Sequence, residues 1–153
     1  MKGLEVIGSY LDEWNIVTIT VRLILAVVCG GAIGLTRSVK RRGAGFKTHA
    51  LVCLGSALVM MTGQYIYVDF GAISDIARLA AQVISGVGFL GVGTIMVTRD
   101  NHVKGLTTAA GLWTCAGIGL SIGIGFYSGA AITTILVLVI YRFMGRVDEI
   151  AYE

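Results

Sequence analysis

The chain has no proline, and only 14% of its 153 residues are charged, against about a quarter in ordinary soluble domains. No helix is therefore kinked or stopped by a proline ring, and there is too little charge to cover a water-facing surface. Linkers, low-complexity tracts and long repeats are absent too, so one compact domain fits the length. The net charge of +3 is small and most of its basic residues are localised in loops, which argues against nucleic acid as a partner. Met1–Glu13 holds Glu5, Asp12 and Glu13 and has no compact apolar core after a basic start, so it does not read as a signal peptide. No nucleophile–base pair can be assembled from neighbouring residues, and the expectation is a protein that is not an enzyme and carries no cofactor.

What is abundant is apolar sequence, 56% of the chain, and glycine, 22 residues. Ile76–Val97 has Arg78 and Gln82 as its only strongly polar members. A run of that length suits a membrane helix, since about 20 residues at 1.5 Å each cross a hydrocarbon core roughly 30 Å thick. Five such spans are predicted, at 16–35, 49–67, 76–97, 107–126 and 129–144, with Tyr127 and Ser128 making the last turn. Upstream, Leu4, Ile7, Leu11 and Trp14 recur every three or four residues with polar residues between, which predicts an interfacial amphipathic helix over 1–15. The expected fold is thus all-α: a polytopic bundle of five transmembrane helices behind an amphipathic N-terminal helix.

Nine of the twelve Lys and Arg, including Arg37, Lys40, Arg41, Arg42 and Lys47, fall on one side of this arrangement. The positive-inside rule makes that side cytoplasmic, with the N-terminus outside and the C-terminus inside.

Polar residues within the spans are ordered. Asp75, Arg78, Gln82 and Ser85 step by three, four and three, forming one stripe down from the outer face. Arg22 enters the first span from the same side. Arg22 and Arg78 either snorkel to the headgroups or pair with Asp75 or Asp69 in a cavity open to the outside. Lys47, Thr48, His49, Lys104, Thr107 and Thr108 are the candidates on the cytoplasmic side, the last three opening a polar and small face with Gly111 and Thr114.

Four of the eight positions from Gly86 to Gly93 are glycine. Small residues let helices approach closely in lipid, so Gly30, Gly34, Gly86, Gly88, Gly91, Gly93 and Gly111 are packing candidates. The third span has small residues on more than one face. One face serves the bundle and another is free for a second copy, a dimer by preference, or for a second membrane protein. Gly86-Val87-Gly88-Phe89-Leu90-Gly91 matches a dinucleotide fingerprint, but that needs a strand before it and here it lies within an apolar helix. Cys29, Cys53 and Cys115 sit on three different spans without ligand spacing and read as small buried hydrophobes. All nine carboxylates lie outside the span cores. A Mg²⁺ site usually includes one or two of them, so transport would have to use backbone carbonyls at the glycine-rich stretches, and any Mg²⁺ association is left open.

Three stretches carry a resemblance: Gly45-Phe46-Lys47-Thr48-His49-Ala50-Leu51-Val52, then Arg78 through Gly91, then Val103-Lys104-Gly105-Leu106-Thr107-Thr108-Ala109-Ala110-Gly111-Leu112-Trp113. In this order they resemble the membrane domain of the MgtC/SapB family of bacterial inner-membrane proteins, over about residues 16 to 144. The resemblance implies a link to growth in low Mg²⁺ and, in pathogens, to survival inside host cells, more by modulating other membrane proteins than by moving Mg²⁺. Members commonly have an acidic residue after Gly-Leu at the end of the first span, where this chain has Thr36 and then Arg37. Longer members also carry a soluble C-terminal domain, which this chain is expected to lack.

Overall fold

In a computed structural model, residues 15–39, 43–70, 75–99 and 102–151 are described. The expected interfacial helix over 1–15 and the basic run Lys40–Arg42 lie outside the described residues, apart from Asn15. The architecture is an all-α bundle of five helices: α1 (Ile16–Val39), α2 (Phe46–Phe70), α3 (Ile76–Val92), α4 (Leu106–Gly123) and α5 (Tyr127–Ala151). Three of them, over Ile16–Val39, Phe46–Val68 and Leu106–Gly123, are long and apolar enough to cross a membrane, while Ile76–Val92 and Tyr127–Phe143 are apolar but shorter.

Local chemistry fixes the helix ends. Asn15 caps α1, its Oδ1 accepting from the Thr18 amide at 2.9 Å, because the first amides of a helix have no partner within it. Ser38, in the last turn of α1, accepts the Phe46 amide at 2.8 Å and so ties the start of α2 to the end of α1. Asp75 caps α3 by accepting from the Ala77 amide at 3.0 Å.

Several boundaries depart from the sequence expectation: α2 runs over Phe46–Phe70 instead of 49–67, α5 over Tyr127–Ala151 instead of 129–144, and three further differences have a local cause. The third span was expected to run to Val97, but the helix stops at Val92. Gly93 turns back onto Phe89, and Thr94 returns both its amide and its hydroxyl to the Gly91 carbonyl. Met96–Val97 then pairs with Val103–Lys104 as a two-stranded antiparallel ribbon. Apolarity alone carried the expected span too far, since β-branched and apolar residues suit a strand equally. The first helix, expected to end at Leu35, continues to Val39 because its last turn packs Arg37 into the bundle. The turn expected at Tyr127 and Ser128 falls instead at Ile124–Phe126, where Gly125 adopts φ +90°, a conformation costly for a residue with a Cβ.

The core is built on α1, α2, α4 and α5, from Ala26, Ile33, Cys53, Ala57, Cys115, Ile118, Ile122 and Ala130. Small residues let the backbones meet. A Cβ on Gly30 would stand 2.6 Å from the His49 carbonyl oxygen, and one on Gly123 would stand 2.6 Å from that of Ala57. Helix α3 lies to one side and buries only Val87 and Gly91.

Candidate functional site

Two arginines of α1 are buried, one near each end. Arg22 is 5% exposed. Its Nε donates to Tyr127 Oη at 2.9 Å, and Nη1 donates to the Gly123 carbonyl at 2.8 Å and to Gln64 Oε1 at 3.2 Å. Arg37 is 8% exposed; its Nη2 donates to Thr108 Oγ1 at 3.0 Å, and its guanidinium lies 4.7 Å from the centre of the Tyr141 ring. Each arginine of α1 thus meets a tyrosine of α5. The arginines are fifteen positions apart and the tyrosines fourteen, which is the match two helices running in the same direction require.

Both arginines lie inside the bundle, and the Asp69 side chain, one of the expected pairing partners, lies outside the described residues. Arg22 does not extend to the surface, because Gln64, Gly123 and Tyr127 supply oxygens inside the bundle. Burying a cation is unfavourable unless its donors are satisfied, and these neutral acceptors serve that purpose. With the first span expected to end at Leu35, Arg37 falls in the following loop; the extra turn of α1 instead carries it between Thr108 and Tyr141. The tyrosines and Gln64 were missed in the sequence. An apolar core separates the two ends, and the buried hydroxyls of Ser56 and Thr134 are returned to carbonyls of their own helices.

His49 lies at the Arg37 end and is fully buried. Its Nδ1 donates to the Gly45 carbonyl at 2.9 Å, which leaves Nε2 as a lone-pair acceptor, buried and without a hydrogen-bond partner. Gly111 makes room here, since a Cβ on it would run into Tyr141 Oη. The Tyr141 hydroxyl donates to the Thr107 carbonyl at 3.3 Å. Of the six expected cytoplasmic-side residues, His49 and Thr108 therefore come together with Arg37 and Tyr141, while Thr107, itself exposed, contributes its backbone carbonyl. Lys47, Thr48 and Lys104 are exposed, Lys104 on the ribbon.

Among the described residues, the expected polar stripe lies on the outside of the bundle. Asp75, Arg78, Gln82 and Ser85 all lie on the exposed side of α3, and the Asp75 carboxylate is engaged in capping. They share a face with one another and not with Arg22. The glycines of α3 divide similarly. A Cβ on Gly91 would rest 3.4 Å from that of Ala109 in α4, whereas Gly86 and Gly88 have nothing within 4 Å. Gly93 serves as the cap of α3. Gly30, Gly34 and Gly111 meet α2, the start of α2 and Tyr141 respectively.

Beside Gly86 the bundle opens laterally. A groove of about 550 Å³ runs between α2 and α3, floored by Gly55, Ser56 and Val87 and walled by Leu51, Val83 and Leu90, with Lys47 and Thr48 at one end. Gly55, like Gly86, has nothing within 4 Å. A second hollow of about 390 Å³ meets it at Thr48 and Leu90. Among the described residues no group of three His, Cys, Asp or Glu side chains is placed to hold a metal ion. The groove is apolar, and what it can accept is an apolar segment approaching from the side.

The sequence pattern of the MgtC family matches residues 23–150. The chain belongs to the MgtC family. Among its relatives, "Putative magnesium transporter YhiD" of Escherichia coli K12 is 47% identical over 94 residues, 59% of this chain and 43% of that protein. "Protein MgtC" of Brucella abortus is 39% identical over 115 residues, 75% of this chain and 46% of that protein. "Protein SrpB" of Synechococcus elongatus is 38% identical over 110 residues, 66% of this chain and 60% of that protein. The chain thus spans about half the length of the relatives it matches. No solved structure matches it.

Proposed function

We propose that this MgtC-family chain is a bacterial plasma-membrane protein that regulates other membrane proteins through helix–helix contacts during adaptation to low Mg²⁺ and, in pathogens, virulence. All five helices cross the bilayer in this reading. The seventeen residues of α3 are at the short end of the spanning range. The distribution of Lys and Arg supports an external N-terminus and a cytoplasmic C-terminus. The protein is not an enzyme and holds no cofactor.

The observation that carries the reading is the lateral groove. Association in lipid depends on close packing, which small residues permit. Gly55 and Gly86 offer such a surface on two neighbouring helices with no neighbour of their own. A transmembrane helix of a second protein fits its apolar, elongated form. The purified chain in liposomes is expected to give no Mg²⁺ flux above empty vesicles, and the chain is expected to copurify with a second membrane protein. Gly86→Leu should abolish that copurification while the chain still accumulates in the membrane.

The name of the Escherichia coli relative favours a second reading, in which the chain moves Mg²⁺ or another cation using backbone carbonyls of its glycine-rich helices. Saturable Mg²⁺ flux in the same liposomes would establish it and displace the regulatory reading.

A further inference from the structure

The side of α3 turned away from the bundle carries residues that the groove does not use. Ala81, Ser85 and Gly88 are exposed and spaced four and three apart, which places them on one continuous seam; Val92, next in the series, also borders the smaller hollow. Ala81 and Ser85 form a small-x-x-x-small pair, and Gly88 has open space beside it. Gln82 and Arg78 flank the seam, also exposed. A primary amide facing hydrocarbon is unfavourable without a hydrogen-bond partner, so Gln82 marks this face as one that is covered.

We propose that the seam is the contact between two copies of this chain, α3 against α3, about a twofold axis along the membrane normal. The inference rests on the reading that α3 crosses the bilayer. Insertion gives both copies the same orientation, so the two α3 helices run parallel and equivalent residues face each other. Such a contact requires residues compatible with themselves. Ala81, Ser85 and Gly88 are small enough to allow close approach from both sides. Gln82 is both donor and acceptor, so two copies satisfy each other's amides. At the N-terminal end of the helix, Arg78 and Asp75 are both exposed and of opposite charge, so in a parallel pair each copy sets a cation and an anion beside those of the other, with one Asp75 oxygen kept by the cap. The groove lies on the neighbouring side of α3, so a second copy on the seam leaves it open.

The test is oxidative cross-linking of the full chain in native membranes. Ser85→Cys should give a covalent product of twice the chain's mass, as should Ala81→Cys, while Leu79→Cys, facing the bundle, and the parent chain give none. Adding Gln82→Leu to Ser85→Cys should lower the yield by roughly tenfold, the order expected for one interhelical hydrogen bond in lipid. Absence of the dimer with Ser85→Cys and Ala81→Cys, both small changes that the open face tolerates, overturns the proposal. So does a product of another mass, which would put a different protein on the seam, or equal cross-linking from Leu79→Cys. If cross-linking fails while copurification of the second protein persists, the dimer is lost and the regulatory reading stands. If cross-linking succeeds while the liposomes show flux, the reverse holds.

Discussion

Helices α3 and α4 are nearly equal in length, seventeen and eighteen residues, and both are apolar and glycine-rich, yet α4 buries nine residues and α3 two. The difference lies in what the glycines meet. In α4, a Cβ on Gly119 would run into the Cys53 carbonyl oxygen, and one on Gly123 would crowd Met60. In α3, only Gly91 meets another helix closely, while Gly86 and Gly88 face open space. The same residue type thus closes the bundle in one helix and leaves a contact surface in the other. Composition cannot separate these uses, because lipid and a neighbouring helix are both apolar.

The sharpest way to break the comparison is a matched pair of substitutions. Gly119→Leu forces a side chain into the α2 backbone, and overpacking costs about 1–3 kcal/mol and occasionally more. Its expected result is loss of folded protein from the membrane, measured as monodisperse yield in detergent. A normal yield would mean that α4 is not the closed helix described here. Next in size is Arg22→Ala, which leaves the oxygens of Tyr127, Gln64 and Gly123 without their donor. A destabilisation of about 1–3 kcal/mol is expected, read as a lowered melting temperature. Asp75→Ala removes the cap of α3 and should cost about 1 kcal/mol, confined to that helix and visible as faster proteolysis around its start. Smallest is Arg78→Ala on the exposed face, expected to change the melting temperature of the detergent-solubilised monomer by the equivalent of no more than about 0.5 kcal/mol. If Arg78→Ala proved as damaging as Arg22→Ala, the exposed and buried arginines would not differ as described.

Much of the fold was legible in the sequence. The order of the five helices follows from apolar runs separated by charged loops. That the α3 glycines occupy more than one face follows from their spacing around the helix, but not which of them meet another helix. Boundaries were less legible where a local hydrogen bond decides them, as when Thr94 closes α3 and Gly125 sets the last turn. The candidate site was legible only in part. His49 and Thr108 were singled out, but their meeting with Arg37 and Tyr141 joins α1, α2, α4 and α5, and no local pattern encodes that. Arg22 stands out in the sequence as a cation within the first span, whereas its acceptors are 42, 101 and 105 positions away. The period of the polar stripe puts its residues on one side of α3, but it does not say whether that side faces inward or outward.

The central claim is that the open side of α3 acts through contacts outside its own chain. Gly88→Leu tests it most directly, measured as membrane abundance together with low-Mg²⁺ growth of a strain that depends on this protein. The account predicts parent-like abundance, because nothing lies within 4 Å of the new side chain's first atom, and loss of growth, because the contact surface is blocked. Collapse of abundance would show that this face is packed within the chain, and parent-like growth would show that it serves no contact; either result contradicts the account.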